Sequence, residues 1–162
     1  MKHNKILKLA TLKRKVVALR KQGEKIAWTN GCFDILHLGH VSYLQMAKKK
    51  DRSLIVGLNS DKSVKKIKGA KRPIVPENER AGVLAGLECV DYIVLFDEAT
   101  PQKCIEALKP DVLIKGADWK GKGVVGSDFV ASYGGKMEYI EFIKNCSSTN
   151  IIEKILKKFN DK

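Results

Sequence analysis

The chain has 162 residues, 44% of them hydrophobic, and a net charge of +13 from 31 Lys and Arg against 18 Asp and Glu. That length supports one compact domain with a real core, no apolar run approaches a membrane span, and the N-terminus lacks the apolar stretch of a secretory signal, so a cytoplasmic protein with no membrane partner is expected. The positive charge raises nucleic-acid binding, but the lysines are spread over most predicted elements and aromatics make up only 7%, so an anionic small-molecule substrate is favoured and nucleic acid is the weaker reading.

Residues 5–22 place Leu9, Leu12, Val16 and Leu19 near helical spacing, and Gly23 can end that helix. Residues 1–23 are therefore expected to form a basic helical segment packed on a single domain spanning 1–162. A strand is predicted over 25–29, then a tight glycine turn, then a helix beginning near His40 with Val41, Leu44 and Ala47 on one face. The short apolar run 53–58 suits a buried parallel strand. Asn59-Ser60-Asp61 turns into a short helix through Val64, and residues 65–76 are basic, contain Gly and Pro and lack periodicity, reading equally as a binding loop or a solvated one.

A helix is predicted over 77–87 and a strand over 92–96. Thr100 suits an N-cap and Pro101 a first helical residue, ahead of a face made by Cys104, Ile105 and Leu108. Pro110 ends that helix; a strand over 111–114 leads into the polar turn Lys115-Gly116-Ala117-Asp118-Trp119. A helix over 127–132, a strand over 136–140 and a helix opened by Cys146-Ser147-Ser148-Thr149-Asn150 complete the chain. Strands alternating with helices predict an α/β domain with a parallel sheet, whose ligands sit at the C-terminal strand ends where the winding reverses.

Three strand-to-helix junctions carry unusual polar chemistry. In the first, His37-Leu38-Gly39-His40 sets two of the chain's 3 histidines around a glycine. A helix starting there aims free N–H groups and its positive dipole end at the turn, Gly39 lets a phosphate approach the backbone, and both imidazoles can donate to phosphate oxygens. A metal site ranks below this because no third ligand stands at zinc-like spacing. The second junction is Lys115–Trp119, where Lys115 and Asp118 are candidates for contact with nucleotide or sugar, Asp118 also fitting as a turn-forming residue. The third is Ser147-Ser148-Thr149, which alone reads as an N-cap and with the first describes a site for a triphosphate. Lys68, Arg72 and Arg80 are candidates for phosphate contacts from the basic loop and the helix after it, with ordinary surface charge as the alternative for Arg72 and Arg80. Of Cys32, Cys89, Cys104 and Cys146 no pair has the CxxC spacing; Cys32 sits in the key turn but needs only to be small.

Asn30-Gly31-Cys32-Phe33-Asp34 with the HxGH sequence His37–His40, followed by the hydroxyl motif, resembles the cytidylyltransferase-like nucleotidyltransferase superfamily, which implies a Rossmann-like fold with a five-stranded parallel sheet. Within it the chain is most similar to the D-glycero-D-manno-heptose 1-phosphate adenylyltransferases, through residues 29–37, Gly57–Asp61, Lys109–Gly116, Ser132–Lys136 and 148–155. In that family the domain often follows a sugar kinase; none precedes it here, so the stand-alone form is expected.

The resemblance implies transfer of AMP from ATP, with Mg²⁺, to a sugar 1-phosphate by an expected homodimer. It places His37, His40 and Lys68 at the reacting phosphates. Thr29, Asn30, Gly31, Cys32, Phe33, Gly39, Asp118, Ser147, Ser148 and Thr149 would hold ATP, and Asp34, Asn59, Arg72, Arg80, Lys115, Gly116 and Trp119 the sugar phosphate. No protein ligand for Mg²⁺ stands out, and the backbone of residues 142–147 is expected to form part of the base pocket. Glycerol-3-phosphate cytidylyltransferase is the nearest rival, against which Asn150 stands where that family has lysine. Ala117 and Trp119 replace the Gly and Tyr common in the heptose family. A basic RNA-binding or regulatory module without turnover is the alternative from another class.

Overall fold

The computed structural model describes residues 4–141, 143 and 146–160. In chain order these form α1 (Leu9–Lys21), β1 (Lys25–Gly31), α2 (Leu38–Ala47), β2 (Arg52–Asn59), α3 (Asp61–Lys68), α4 (Glu77–Ala85), β3 (Tyr92–Phe96), α5 (Gln102–Leu108), β4 (Val112–Gly116), a 3₁₀ turn (Ala117–Trp119), α6 (Ser127–Ser132), β5 (Lys136–Ile140) and α7 (Ser148–Asn160).

The five strands make one parallel sheet in the order β3-β2-β1-β4-β5. All eight residues of β2 are buried, as a strand covered on both faces requires. Side-chain alternation sorts the core into two layers. Ala27, Val56 and Ile114 pack with Tyr43, Leu44, Ala81 and Leu84 under α2 and α4. Ile26, Trp28, Ile55 and Leu113 pack with Leu12, Val16, Ile105 and Leu108 under α1 and α5. Gly57 makes room for the Trp28 indole: a Cβ there would lie 2.3 Å from Trp28 Cζ2. Gly57→Ala is expected to cost about 1–3 kcal/mol through overpacking, read by denaturant unfolding.

Strands β1, β2 and β4 run one or two residues past their expected ends, so Lys115 and Gly116, expected in a turn, close β4, and α4 stops at Ala85 rather than residue 87. Three further differences have a local cause. α2 begins at Leu38, because the His37 carbonyl already accepts from His40 N and Val41 N. α3 continues to Lys68 rather than stopping at Val64: Ser60 caps it, three lysines favour its C-terminal dipole end, and Gly69, at φ 90°, ends it. α5 starts one residue late, with Pro101 as N-cap and not as first helical residue. Residues 5–7 add a short parallel bridge along the outer edge of β3, with Ile93 N donating to Lys5 O and Leu7 N to Ile93 O. That segment covers an edge that would otherwise be open.

From β1 the chain winds through β2 to β3, then crosses back to β4 and β5, so the switch point lies between β1 and β4. These two strands are paired only at Ala27–Val112 and Trp28–Leu113. Beyond these pairs no further ladder joins the two strands among the described residues, and their C-terminal ends mark the crevice position where ligands of such sheets bind.

Candidate active site

The β1–α2 turn is built under strain. Phe33 (φ 46°) and Ile35 (φ 53°) both occupy the left-handed region, and Ile35 is β-branched. Distant side chains hold the turn in place. Arg80 Nη1 donates to Cys32 O at 2.6 Å, and Ser148 Oγ donates to Asp34 O. The Asp34 carboxylate, 1% exposed, accepts from Arg72 Nε at 2.7 Å and from the backbone N–H groups of Ile74 and Val75 at 2.9 Å each. Burial opposes ionisation of Asp34, but the two N–H donors and the guanidinium outweigh it and keep the carboxyl below its usual range.

This strained turn delivers the histidines. His37 is the N-cap of α2 and His40 lies in its first turn. Their rings stack 3.9 Å apart, and Phe33 lies 5.2 Å from the His40 ring. Both Nδ1 atoms are buried without a protein hydrogen-bond partner. Burial, reinforced by His37, pushes His40 down to about 4; burial also lowers His37. Both rings are therefore neutral near neutral pH, each with one N–H to donate. The start of α7 adjoins this pair: a Cβ on Gly39 would lie 3.0 Å from Cys146 Cβ and 3.1 Å from His37 Nδ1. Two helix N-termini thus converge on the imidazoles, an arrangement suited to a polyanion.

The other expected residues divide by where the structure puts them. Gly31 and Gly39 shape the turn, and Lys68 is exposed at the end of α3 with its charge felt at the Cys32 thiol. Burial pushes the Cys32 thiol up, opposed by Lys68, Arg80 and Arg72. Lys115 Nζ donates to Asn30 Oδ1 at 2.7 Å across the β1–β4 crevice, Gly116 is buried, and Asp118 and Trp119 are exposed on the following turn. Ser147 Oγ accepts from Asn150 N and so caps α7, while Thr149 is exposed.

Five side chains face inward, away from the ligand-facing positions expected of them. Thr29 shares a 2.7 Å hydrogen bond with the Tyr43 hydroxyl, and the Phe33 ring is packed into the α2 core. Asn59 donates to Ser63 Oγ, and Asp34 is consumed in the clamp on residues 72–75. Arg80 is neither a surface charge nor open to a phosphate. It is 2% exposed and donates to Val75 O, Cys32 O, Asn59 O and Asp61 Oδ1. Asp61, whose N–H is held by Glu77, and Tyr43 behind Thr29 were not anticipated; each meets a partner 14 or more residues away, which local pattern does not reveal. Within the expected base-pocket segment, Phe142, Lys144 and Asn145 lie outside the described residues.

A doubly wound sheet with an imidazole pair at its first strand-to-helix turn defines a phosphate-handling α/β protein. The chain belongs to the cytidylyltransferase-like family, whose model matches residues 28–154. It is 53% identical over 97% of its length to the bifunctional protein HldE of Geobacter metallireducens, of which the match covers 32%. It is likewise 53% identical over 98% of its length to the bifunctional protein HldE of Helicobacter pylori, covering 33% of that protein. The chain thus spans about a third of the length of these relatives. Among solved structures, the lipopolysaccharide core biosynthesis protein of Thermoplasma volcanium superposes with a TM-score of 0.60 at 30% identity, over 76% of this chain and 100% of that one.

Proposed function

We propose that this chain transfers AMP from ATP to D-glycero-D-manno-heptose 1-phosphate, releasing pyrophosphate and supplying a lipopolysaccharide precursor. The observation that carries it is the stacked His37–His40 pair, with both Nδ1 atoms unpartnered, at the joined starts of α2 and α7. The identity to HldE proteins, the likeness to a lipopolysaccharide core biosynthesis protein, and the heptose-family motifs supply the substrate pair. In the proposed step an oxygen of the sugar phosphate attacks the α-phosphorus of ATP, the bond to the β-phosphate oxygen breaks, and pyrophosphate leaves with the electron pair. The acceptor phosphate is already ionised, so no protein base or nucleophile is needed, and the chain contributes position and charge stabilisation.

His37 and His40 are assigned to the triphosphate and to the charge that grows on the leaving pyrophosphate. The start of α7 is assigned to the β- and γ-phosphates through its free N–H groups and Thr149. Lys68 is assigned to the reacting phosphates. Asp34 and Arg80 act as positioning residues for the turn. Among the described residues no group of three or more His, Cys, Asp or Glu could hold a metal ion. Mg²⁺ is taken, from the family resemblance, to enter on the triphosphate, and no step is routed through it. A cytoplasmic homodimer is part of the same proposal and rests on the family resemblance; among the described residues no helix is long and apolar enough to cross a membrane.

The test is pyrophosphate release from a matrix of ATP and CTP against heptose 1-phosphate and glycerol 3-phosphate. ATP with heptose 1-phosphate is expected to be the fastest pair. A site that hydrogen-bonds one base leaves polar groups unpaired with another, a discrimination of up to about 10⁴ in kcat/KM. A faster reaction of CTP with glycerol 3-phosphate would replace the substrate assignment.

Cys32 separates direct transfer from a covalent route. Its thiol is pushed toward the protonated form, and the acceptor supplies the nucleophile. Cys32→Ser is expected to keep substantial activity, with no adenylylated protein by mass spectrometry. A Cys32–AMP adduct able to pass its AMP to the acceptor would overturn direct transfer.

A further inference from the structure

The crevice between β1 and β4 holds a cation that the triphosphate assignment leaves unused. The last paired residues of these strands, Trp28 and Leu113, lie in the core layer under α1 and α5. Alternation puts Asn30 and Lys115 next on that face, so a polar cross-strand pair replaces the apolar one where the ladder ends. Lys115 Nζ donates to Asn30 Oδ1 and stands 5.6 Å from the centroid of the Trp119 ring. No carboxylate lies within ion-pairing distance of it among the described residues. Its partners are a neutral amide oxygen and an aromatic face, so burial, opposed by Asp118, pushes its ammonium down to about 8. A half-buried ammonium in these surroundings lacks a counter-anion.

The geometry of transfer says which anion that is. The imidazoles and the start of α2 belong to the opposite layer, where α2 packs with Phe33, Tyr43 and Leu44. In-line displacement requires the entering oxygen and the leaving pyrophosphate to lie on opposite sides of the α-phosphorus. We propose that Lys115, oriented by Asn30, binds the attacking phosphate of the acceptor on the α5 side of the crevice, opposite the leaving pyrophosphate. This assignment rests on the transfer reaction proposed above.

The test compares the wild-type chain with Lys115→Met and Lys115→Arg. Acceptor KM comes from pyrophosphate release, and binding of α,β-methylene-ATP from calorimetry. Loss of one charge-assisted contact is expected to raise the acceptor KM roughly 10- to 100-fold in Lys115→Met. Lys115→Arg should recover part of it, and analogue binding, which also reports a folded site, should stay within about twofold of wild type in both variants. Unchanged acceptor KM in Lys115→Met would overturn the assignment, and weakened analogue binding would move the cation to the nucleotide. If the wild type turns over only another nucleotide–acceptor pair, the heptose reading fails. The same comparison, run on that pair, then decides the role of Lys115.

Discussion

His40→Ala is expected to lower kcat by about 100-fold or more while changing the KM for ATP far less. The ring sits in the first turn of α2, stacked on His37, with a buried Nδ1 that no protein group satisfies. Charge moves onto the leaving pyrophosphate during transfer, so a donor fixed at that point acts on the transition state more than on bound ATP. Removing it deletes a differential interaction, which appears in kcat and kcat/KM together. Comparable activity in a folded His40→Ala variant would remove the imidazole pair from the mechanism. A second readout follows from titration. His40 has a folded value of about 4 against 6.5 for the free side chain. Between these values the unfolded chain binds more protons, so wild-type stability declines as the pH falls through that window. His40→Ala lacks this term, and its melting temperature should fall less over the same range.

Asp34→Ala is expected to be the most damaging substitution for stability, at about 3–5 kcal/mol by denaturant unfolding, because it strands a partly buried guanidinium. It also leaves the Ile74 and Val75 N–H groups without their acceptor. The loss should spread, since Arg72–Val75 is held to the turn through this carboxylate and the same residue's carbonyl receives Ser148 Oγ from α7. Freed of the clamp, residues 69–76 should become sensitive to protease, and activity should fall with the strained Phe33–Ile35 turn. Asp34 titrates below its usual range. Its contribution is therefore present above the unfolded carboxyl value and lost as the pH falls through the folded one. Asp34→Asn should flatten that acid limb. An Asp34→Ala chain that unfolds at the wild-type denaturant midpoint would show that the clamp is incidental.

Local signals read well where chain punctuation and apolar runs coincide. The strand 92–96, the helix 127–132 and the strand 136–140 stand where the sequence places them, the strands flanked directly by Asp91, Asp97, Gly135 and Glu141 and the helix by Gly126 and, one residue on, Gly134. The imidazole turn was legible for the same reason, since strand, glycine and helix start fall within one short stretch. Composition misled at 65–68, where lysines that suggested a loop favour the C-terminal end of α3, and Gly69 rather than charge marks the stop.

What could not be read is the set of long-range partners. Arg80 looks like a helix surface charge until Cys32, Asn59, Val75 and Asp61 are seen around it. Thr29 and Asn59 belong to stretches that mark the family, yet their side chains face inward, because alternation along a strand turns every second residue away from its neighbours. The bridge at Ile6 carries no periodicity to detect, being one residue paired to Ile93.

The most direct test of the central claim is the fate of an oxygen label. The chain is incubated with ATP and heptose 1-phosphate carrying ¹⁸O in its phosphate oxygens, and the products are read by ³¹P NMR and mass spectrometry. Direct transfer is expected to give ADP-heptose with the label kept in the oxygen that bridges the two phosphorus atoms, together with one pyrophosphate per product. Formation of ADP and orthophosphate, or an unlabelled bridging oxygen, would contradict attack of the sugar phosphate on the α-phosphorus.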